Sequence, residues 1–214
     1  MIGVFITASN TEVGKTTVAI ELARKLSEKR IVRARKPVES DCPVVGTEFA
    51  PRDAIALSLA CGNHESLSSV CSFCFAMEAS PEKASVEVGE TLTLEQLVEA
   101  CHRDVADDFV LVEGAGGFYS PLAQNALNSD LAVALNLPLV IVVRDELGAI
   151  SQALLTLHAA QQNNLKVACV VLNQVESNVL SNADALRTYT KTPVVCFSLS
   201  ALDQFWLDIQ GLIQ

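Results

Sequence analysis

The sequence predicts an α/β fold in which a mostly parallel central sheet carries helices on both faces. Short apolar runs alternate along the chain with segments whose apolar residues recur at helical spacing. The runs are apolar at successive positions, as in 109–112 and 139–143, so both faces of each strand must be covered. The length of 214 residues, without repeats or linkers, predicts a single domain over 1–214.

The chain opens on a predicted strand, loop and helix. Residues 3–7 form an apolar strand, and the loop that follows ends at Gly14. Apolar residues then recur from Val18 to Leu26, opposite charged residues, which predicts an amphipathic helix.

Further helix signals occur later in the chain. Pro51 introduces a helix, and Thr93 with Gln96 forms a capping-box pattern. Residues 63–90 have no clear periodicity, and we predict no element there. The other predicted elements are strand 31–35, helix 53–61, helix 93–104, strand 109–112, strand 139–143, helix 150–162, strand 167–172, helix 182–189, strand 194–197 and a C-terminal helix.

Composition excludes several classes of protein. Asp and Glu outnumber Lys and Arg by 25 to 15, for a net charge of -10 and no basic stripe, which argues against nucleic-acid binding. The apolar runs are too short to cross a bilayer, so we expect no membrane association. The first residues lack the features of a signal or transit peptide, so we expect a cytoplasmic protein.

The 7 cysteines are scattered and odd in number, which fits reduced thiols. Cys71 and Cys74 form a CxxC, but no second pair follows at zinc-ligand spacing. We interpret the two as packed small residues rather than as a metal or redox site.

The strongest functional motif follows the first strand. Gly14-Lys15-Thr16 has the pattern of a phosphate-binding loop, in which backbone amides hold phosphate, the lysine neutralises it and the hydroxyl can bind Mg²⁺. Ser9 stands where the general motif has its first glycine. An ordinary helix start is the alternative, but the strand-loop-helix context favours a nucleotide site and a fold like that of P-loop NTPases.

Charged residues also follow other predicted strands. Glu113 and a run of glycines follow strand 109–112, where a carboxylate could hold Mg²⁺. Lys36, before Pro37, follows strand 31–35, and Asp53 begins a helix. Because ligands bind beyond the carboxyl ends of parallel strands, we expect Lys36 to face the same edge as the phosphate loop. The alternatives are a solvated Glu113, a surface Lys36 and a first-turn carboxylate at Asp53.

The sequence resembles the dethiobiotin synthetases, ATP-dependent ligases of biotin synthesis. The matching blocks occur in the family's order from the first strand to residue 173. These blocks are Thr11-Glu12-Val13-Gly14-Lys15-Thr16, Lys36-Pro37-Val38 with Ser40, Asp53 followed by alanine, Val112-Glu113-Gly114-Ala115-Gly116-Gly117 with Ser120-Pro121-Leu122, Leu147-Gly148, and Asn173.

The resemblance implies a homodimer that converts diaminopelargonate, CO2 and MgATP into dethiobiotin, ADP and phosphate. It implies that a substrate amine captures CO2 as a carbamate, that the carbamate attacks the γ-phosphate, and that the second amine closes the ring by displacing phosphate. Such chemistry requires positioning and charge neutralisation rather than a protein nucleophile.

The resemblance also implies roles for individual residues. Lys15 and Lys36 would offset the charge that develops between carbamate and γ-phosphate, and Thr11 and Glu12 would face the carbamate and the diamine. Ser40 would bind the substrate, whose carboxylate would meet the amides of Gly148 and Ala149 across the dimer interface. Asn173 would read the purine. The implied metal ligands are Thr16, Asp53 and Glu113, and the implied nucleotide-binding residues are Glu12, Val13, Gly14, Lys15, Thr16, Thr17, Asp53, Glu113, Gly114, Ala115, Gly116 and Asn173.

The sequence departs from the family at a few positions. Ala8 replaces an early glycine of the loop, and Asp41 stands where glycine is common. The late segment 196–200 lacks the Gly and Pro that usually lie beside the base and ribose, and Ser151-Gln152 replaces Asn-His.

Two other functions remain as alternatives. A regulatory ATPase of the partitioning or cell-division type would carry an additional lysine early in the loop, but positions 8 to 10 are Ala, Ser and Asn. Another ATP-dependent amide ligase, of the cobyrinate type, would need an ammonia source, and the chain has no room for a glutaminase-like region.

Overall fold

The computed structural model describes residues 1–176 and 178–213. The strands are β1 (Ile2–Ala8), β2 (Val32–Arg35), β3 (Val38–Glu39), β4 (Val44–Val45), β5 (Glu48–Phe49), β6 (Phe73–Cys74), β7 (Phe109–Glu113), β8 (Pro121–Ala123), β9 (Ala126–Leu127), β10 (Leu139–Arg144), β11 (Val167–Asn173) and β12 (Val194–Phe197). The helices are α1 (Lys15–Ser27), α2 (Arg52–Ala60), α3 (Leu67–Val70), α4 (Pro81–Glu87), α5 (Leu94–His102), α6 (Asn128–Leu135), α7 (Ala149–Gln162), α8 (Asn182–Arg187) and α9 (Leu202–Ile209).

The central sheet has six parallel strands in the order β12-β11-β10-β1-β7-β2. Strand β1 lies in its middle, between β10 and β7. The connections reverse direction on the two sides of β1, which creates a crevice at the carboxyl ends of the strands, where ligands bind in sheets of this kind.

Two apolar layers cover the sheet. Phe5 of β1 packs in one layer with residues of α5, α6 and α7, whereas Val4 and Ile6 pack in the other with residues of α1, α2 and α9. Neighbouring residues of one strand thus enter opposite layers, which is why the strand sequences are uniformly apolar. The predicted α/β class, with a mostly parallel sheet and helices on both faces, is confirmed.

The predicted elements are present, with ends that shift by a few residues. The helix expected from Val18 begins at Lys15, and the capping box of Thr93 and Gln96 forms with both hydrogen bonds. Strand β7 extends one residue beyond its predicted end and includes Glu113. Residues 63–90, where no element was predicted, contain α3, β6 and α4. Of the helices that the structure describes, none combines the length and apolar character needed to span a membrane.

Candidate functional site

The phosphate-loop motif connects the central strand β1 to α1. Gly14 precedes the helix with φ 83°, in the left-handed region that favours glycine, and Glu12 has φ 59°. A Cβ added at Gly14 would clash with Nδ2 of Asn173, so a larger residue here would also displace the side chain that donates to Val13. Ala8, where the family has glycine, is a buried residue of β1, and the loop turns after it.

Lys15 is buried at the start of α1. Its Nζ lies 2.5 Å from Oε1 of Glu113 and donates to the carbonyl of Gly114 at 2.7 Å. The hydroxyl of Thr16 donates to the same carboxylate oxygen at 2.8 Å. The phosphate loop and the end of β7 therefore form one polar cluster.

Lys36, directly after β2, reaches this cluster from the other side. Its Nζ lies 2.7 Å from Oε1 of Glu113 and 2.9 Å from Oδ2 of Asp53. The side chain of Lys36 is only 4% exposed, so it is not the solvated surface group of the alternative interpretation. Two ammonium groups thus share one oxygen of a fully buried carboxylate.

Burial and charge act against each other in this cluster. Burial is the larger influence on Lys15 and lowers its pKa to about 8 from 10.5, although Glu113 opposes the shift. Burial also disfavours the ammonium of Lys36, but Glu113 and Asp53 outweigh it and raise the pKa of Lys36 above its ordinary value. Burial disfavours the carboxylate of Glu113, but the two lysines outweigh it and lower the pKa of Glu113 to about 2. Glu113 is therefore charged at neutral pH.

The donor set fits a magnesium ion. Oε2 of Glu113 is buried and, within 1–176 and 178–213, has no hydrogen-bond partner, so one carboxylate oxygen is left to bind a ligand. Thr16 touches this carboxylate directly, and Asp53 is linked to it through Lys36. The described residues hold no group of three His, Cys, Asp or Glu side chains suited to a metal. Mg²⁺ needs no such group, because it usually takes one or two carboxylates, water and phosphate oxygens.

Two further side chains hold the site together, and neither was predicted from the sequence. Glu39 accepts hydrogen bonds at 3.0 Å from the backbone amides of both Asp53 and Ala54, and so caps α2, whose own N-cap is Pro51. Asn128 is fully buried, accepts from the amide of Ala115 and donates to the carbonyls of Ala115 and Gly117. Pro51 has no side chain that can cap α2, so the sequence indicated that another residue must accept from the first amides of this helix. That was the one available signal for Glu39.

Cavities flank the cluster on two sides. One, of about 500 Å³, is lined by Thr11, Glu12, Ser40 and Asp53, together with Ala115 and Gly116. The hydroxyl of Ser40 there donates to the carbonyl of Ala79 at 2.6 Å.

The second cavity, of about 450 Å³, is lined by Gly14, Thr17, Asn173 and residues 197–200. The late segment that departs from the family therefore borders the phosphate loop. Asn173 uses its amide nitrogen to donate to the carbonyl of Val13 at 2.8 Å, so the group expected to read a purine also fixes the loop.

Gly148 and Ala149 lie elsewhere, at the start of α7. Within the described part of the chain, neither is among the residues that line the two cavities. Gly148 has φ 96°, and no described residue lies within 4 Å of an added Cβ. The preceding Leu147 is 87% exposed. The amides of Gly148 and Ala149 therefore lie outside both cavities in this chain.

Comparison with known proteins identifies the family. An AAA domain family model matches residues 2–201. The ATP-dependent dethiobiotin synthetase BioD of Vesicomyosocius okutanii is 45% identical over 213 residues, which cover 100% of this chain and 97% of that protein. The chain belongs to the dethiobiotin synthetase family. Other members are the BioD proteins of Ruthia magnifica, at 46% identity over 100% of this chain and 99% of that one, and of Pseudomonas aeruginosa, at 37% over 90% and 86%.

Solved structures with the same fold have much lower sequence identity to this chain than the dethiobiotin synthetases do. A ParA family ATPase from Chlorobium tepidum superposes with a TM-score of 0.54 at 15% identity, over 99% of this chain and 92% of that one. Apo McdA from Cyanthece gives 0.56 at 13% identity over 100% of both chains. These likenesses support the P-loop fold and carry no function.

Proposed function

We propose that this chain is an ATP-dependent dethiobiotin synthetase, which joins 7,8-diaminopelargonate to CO2 and closes the ureido ring with formation of ADP and phosphate. The observation that carries the proposal is the convergence of Lys15 and Lys36 on Glu113, between two cavities, in a chain that is 45% identical to a named member of the family. The fold-level likeness to partitioning ATPases supports the alternative of a regulatory switch less well, since it rests on 15% identity.

The two lysines have separate tasks in this proposal. The cavity lined by Gly14 and residues 197–200 would take the base and ribose, with the phosphates over the start of α1, where Lys15 and the loop amides neutralise them. Lys36 lies towards the cavity of Ser40 and Asp53, which would take the diamine. Lys36 would thus stand where the carbamate of the substrate meets the γ-phosphate.

The reaction places demands that this arrangement meets. The carbamate and the γ-phosphate are both anionic, so their approach is opposed by charge until cations stand between them. Because Lys36 is buried and held by two carboxylates, it keeps its proton and serves as a fixed positive charge. Thr11 and Glu12 line the diamine cavity and would orient the amines.

Thr16 and Glu113, which contact each other, would hold Mg²⁺. Asp53, the third metal ligand that the resemblance implies, contacts Lys36 rather than Glu113. A bound Mg²⁺ supplies charge neutralisation and orientation of phosphate oxygens. Glu113 would offer the metal its Oε2, which has no partner among the described residues, and Lys15, held at Oε1, would lie beside the phosphates.

The substrate carboxylate would be bound by a second copy of the chain in a homodimer. The first turn of α7 carries orphan amides and a positive helix end suited to a carboxylate. The amide of Ala149 already donates to the carbonyl of Glu146 at 3.1 Å, so Gly148 and the amides that follow are the freer donors. A second copy would present this turn to the diamine cavity.

The test is the dependence of ADP formation on both substrates. Purified protein with MgATP should release ADP only when diaminopelargonate and bicarbonate are both present. ADP release at an equal rate without the diamine would reject the ligase and support the regulatory ATPase.

A further inference from the structure

The CxxC of Cys71 and Cys74 forms a compact thiol cluster next to the site. The sulfur atoms of the two residues lie 3.5 Å apart. The buried Cys42 completes the cluster, since its thiol donates to the carbonyl of Glu39 at 3.2 Å and interacts with Cys74. Packing of small residues alone does not require two sulfur atoms to meet in this way.

One thiol of the pair is accessible from outside. Cys74 is half-buried and lines an open cavity of about 870 Å³ together with Phe73 and Phe75. Cys71 is only 4% exposed and lies behind it. A hydrogen bond from Cys71 lowers the pKa of the Cys74 thiol, so Cys74 is the better nucleophile of the two.

The cluster is built into the segment that carries Lys36. Strand β6 pairs with β3 so that Cys74 lies opposite Glu39. The amide of Lys36 donates to the carbonyl of Val70 at 2.9 Å, and the amide of Phe75 donates to the carbonyl of Glu39 at 3.0 Å. The residues that flank the two thiols thus hold the backbone of Lys36 and Glu39 in place.

We propose that Cys71 and Cys74 form a site of reversible oxidation by a small-molecule disulfide. The Cys74 thiolate attacks one sulfur of the disulfide, forming a mixed disulfide and releasing one thiolate. Cys71 then loses its proton and attacks the Cys74 sulfur, which releases the second thiolate. Two protein thiols are oxidised to one disulfide, and the oxidant is reduced to two thiols.

Closing the bond must change the side-chain positions of Cys71 and Cys74. The sulfur atoms have to move from 3.5 Å to about 2.05 Å apart, and the new covalent link lies between Val70 and Phe75, whose backbone contacts Lys36 and Glu39. Because Val70 and Phe75 hold Lys36 and Glu39, we expect oxidation to lower turnover more than ATP affinity. This last expectation alone rests on the proposed function.

The test is incubation of the full-length protein with glutathione disulfide, followed by alkylation and peptide mass spectrometry. The proposal expects loss of two thiols per chain, a bridged peptide joining Cys71 to Cys74, and full reversal by dithiothreitol. Cys71→Ser should stop at a glutathione adduct on Cys74, and Cys74→Ser should prevent reaction at Cys71. The control is Cys196→Ser, which alters a half-exposed thiol on β12, an edge strand of the central sheet, whereas β6 pairs with β3 in a separate sheet. This variant should form the bridge normally.

A stable glutathione adduct on Cys74 in the unaltered protein, a bridge from Cys42 to Cys74, or no loss of thiols would overturn the proposal. These readouts do not depend on activity, so a negative result for the disulfide can be distinguished from failure of the proposed ligase function.

Discussion

Nζ of Lys36 lies 2.7 Å from Oε1 of Glu113, although 77 residues separate the two along the chain. The register of the sheet explains this contact. Strands β2 and β7 are parallel neighbours in which Arg35 pairs with Val112, so the residues that follow this pair, Lys36 and Glu113, lie side by side at the carboxyl edge. Charge convergence at the site is therefore a product of strand register.

Replacement of Lys36 by alanine should lower kcat much more than it weakens ATP binding. Lys36 contacts Asp53, which lines the cavity proposed for the diamine, so its charge should be needed when carbamate and phosphate approach. Steady-state kinetics and equilibrium ATP binding measure the two effects. Lys191→Ala, at an exposed lysine, should change neither. Equal losses of kcat and affinity would remove the role assigned to Lys36.

Nucleotide binding should take up a proton at Lys15. Its pKa of about 8 in the free protein should rise when anionic phosphates lie beside the ammonium, so binding of MgATP at pH 8.5 should take up about 0.8 proton per site, and binding at pH 6.5 almost none. Calorimetry in buffers of different ionisation enthalpy measures the uptake. Lys15→Arg keeps its charge at both pH values and should bind without this uptake. Uptake that does not vary with pH would contradict the assignment.

Replacement of Glu113 by glutamine should destabilise the fold by about 3–5 kcal/mol at pH 7, because two buried ammonium groups lose their shared anion. The pKa of Glu113 is about 2 in the folded chain against an ordinary 4.5. Its stabilisation is therefore complete above pH 4.5 and is lost as the pH falls towards 2.

Urea denaturation at neutral and acid pH checks both statements for Glu113. The difference in unfolding free energy between wild type and variant should shrink in acid. Glu87→Gln, at an exposed carboxylate, is the matched control and should have no effect at either pH. Unchanged stability of Glu113→Gln at pH 7 would show that the buried cluster is not held by this carboxylate.

Replacement of Asn173 by alanine should weaken ATP binding by about 1–2 kcal/mol, because the loop carbonyl of Val13 loses its donor. Gln174→Ala is the control, since Gln174 borders the same cavity but its amide donates to Asp145. Titration with ATP and GTP separates two roles of Asn173. Equal losses indicate that it only holds the loop, and a changed preference indicates that it also reads the base, as the family resemblance implies. Unchanged affinity for both ATP and GTP would contradict both roles of Asn173.

The sequence was sufficient to predict the sheet and the phosphate loop. Uniformly apolar strands and a strand-loop-helix context are local signals, and they predicted Lys15, Thr16 and Glu113 at one edge. From the residues alone, only the position of Lys36 after a strand recommended it, and its role came from the family resemblance of Lys36-Pro37-Val38. The structure brings it to the cluster, because the position of a parallel strand end is set by the sheet as a whole.

The rest depends on contacts that no local pattern encodes. Helix α3 has 4 residues and β6 has 2, too few to produce a periodic signal in 63–90. Glu39 caps a helix 14 residues away, and Asn128 supports a loop 13 residues earlier. A carboxylate and an amide of this kind look like ordinary polar residues until the fold supplies their partners.

The central claim is that the chain joins CO2 to a diamine at the expense of ATP, and its most direct test is the fate of labelled carbon. Protein supplied with diaminopelargonate, MgATP and ¹³C-bicarbonate should yield dethiobiotin that carries one ¹³C atom for each ADP formed. ADP formation that leaves the diamine unlabelled and unchanged in mass would contradict the claim.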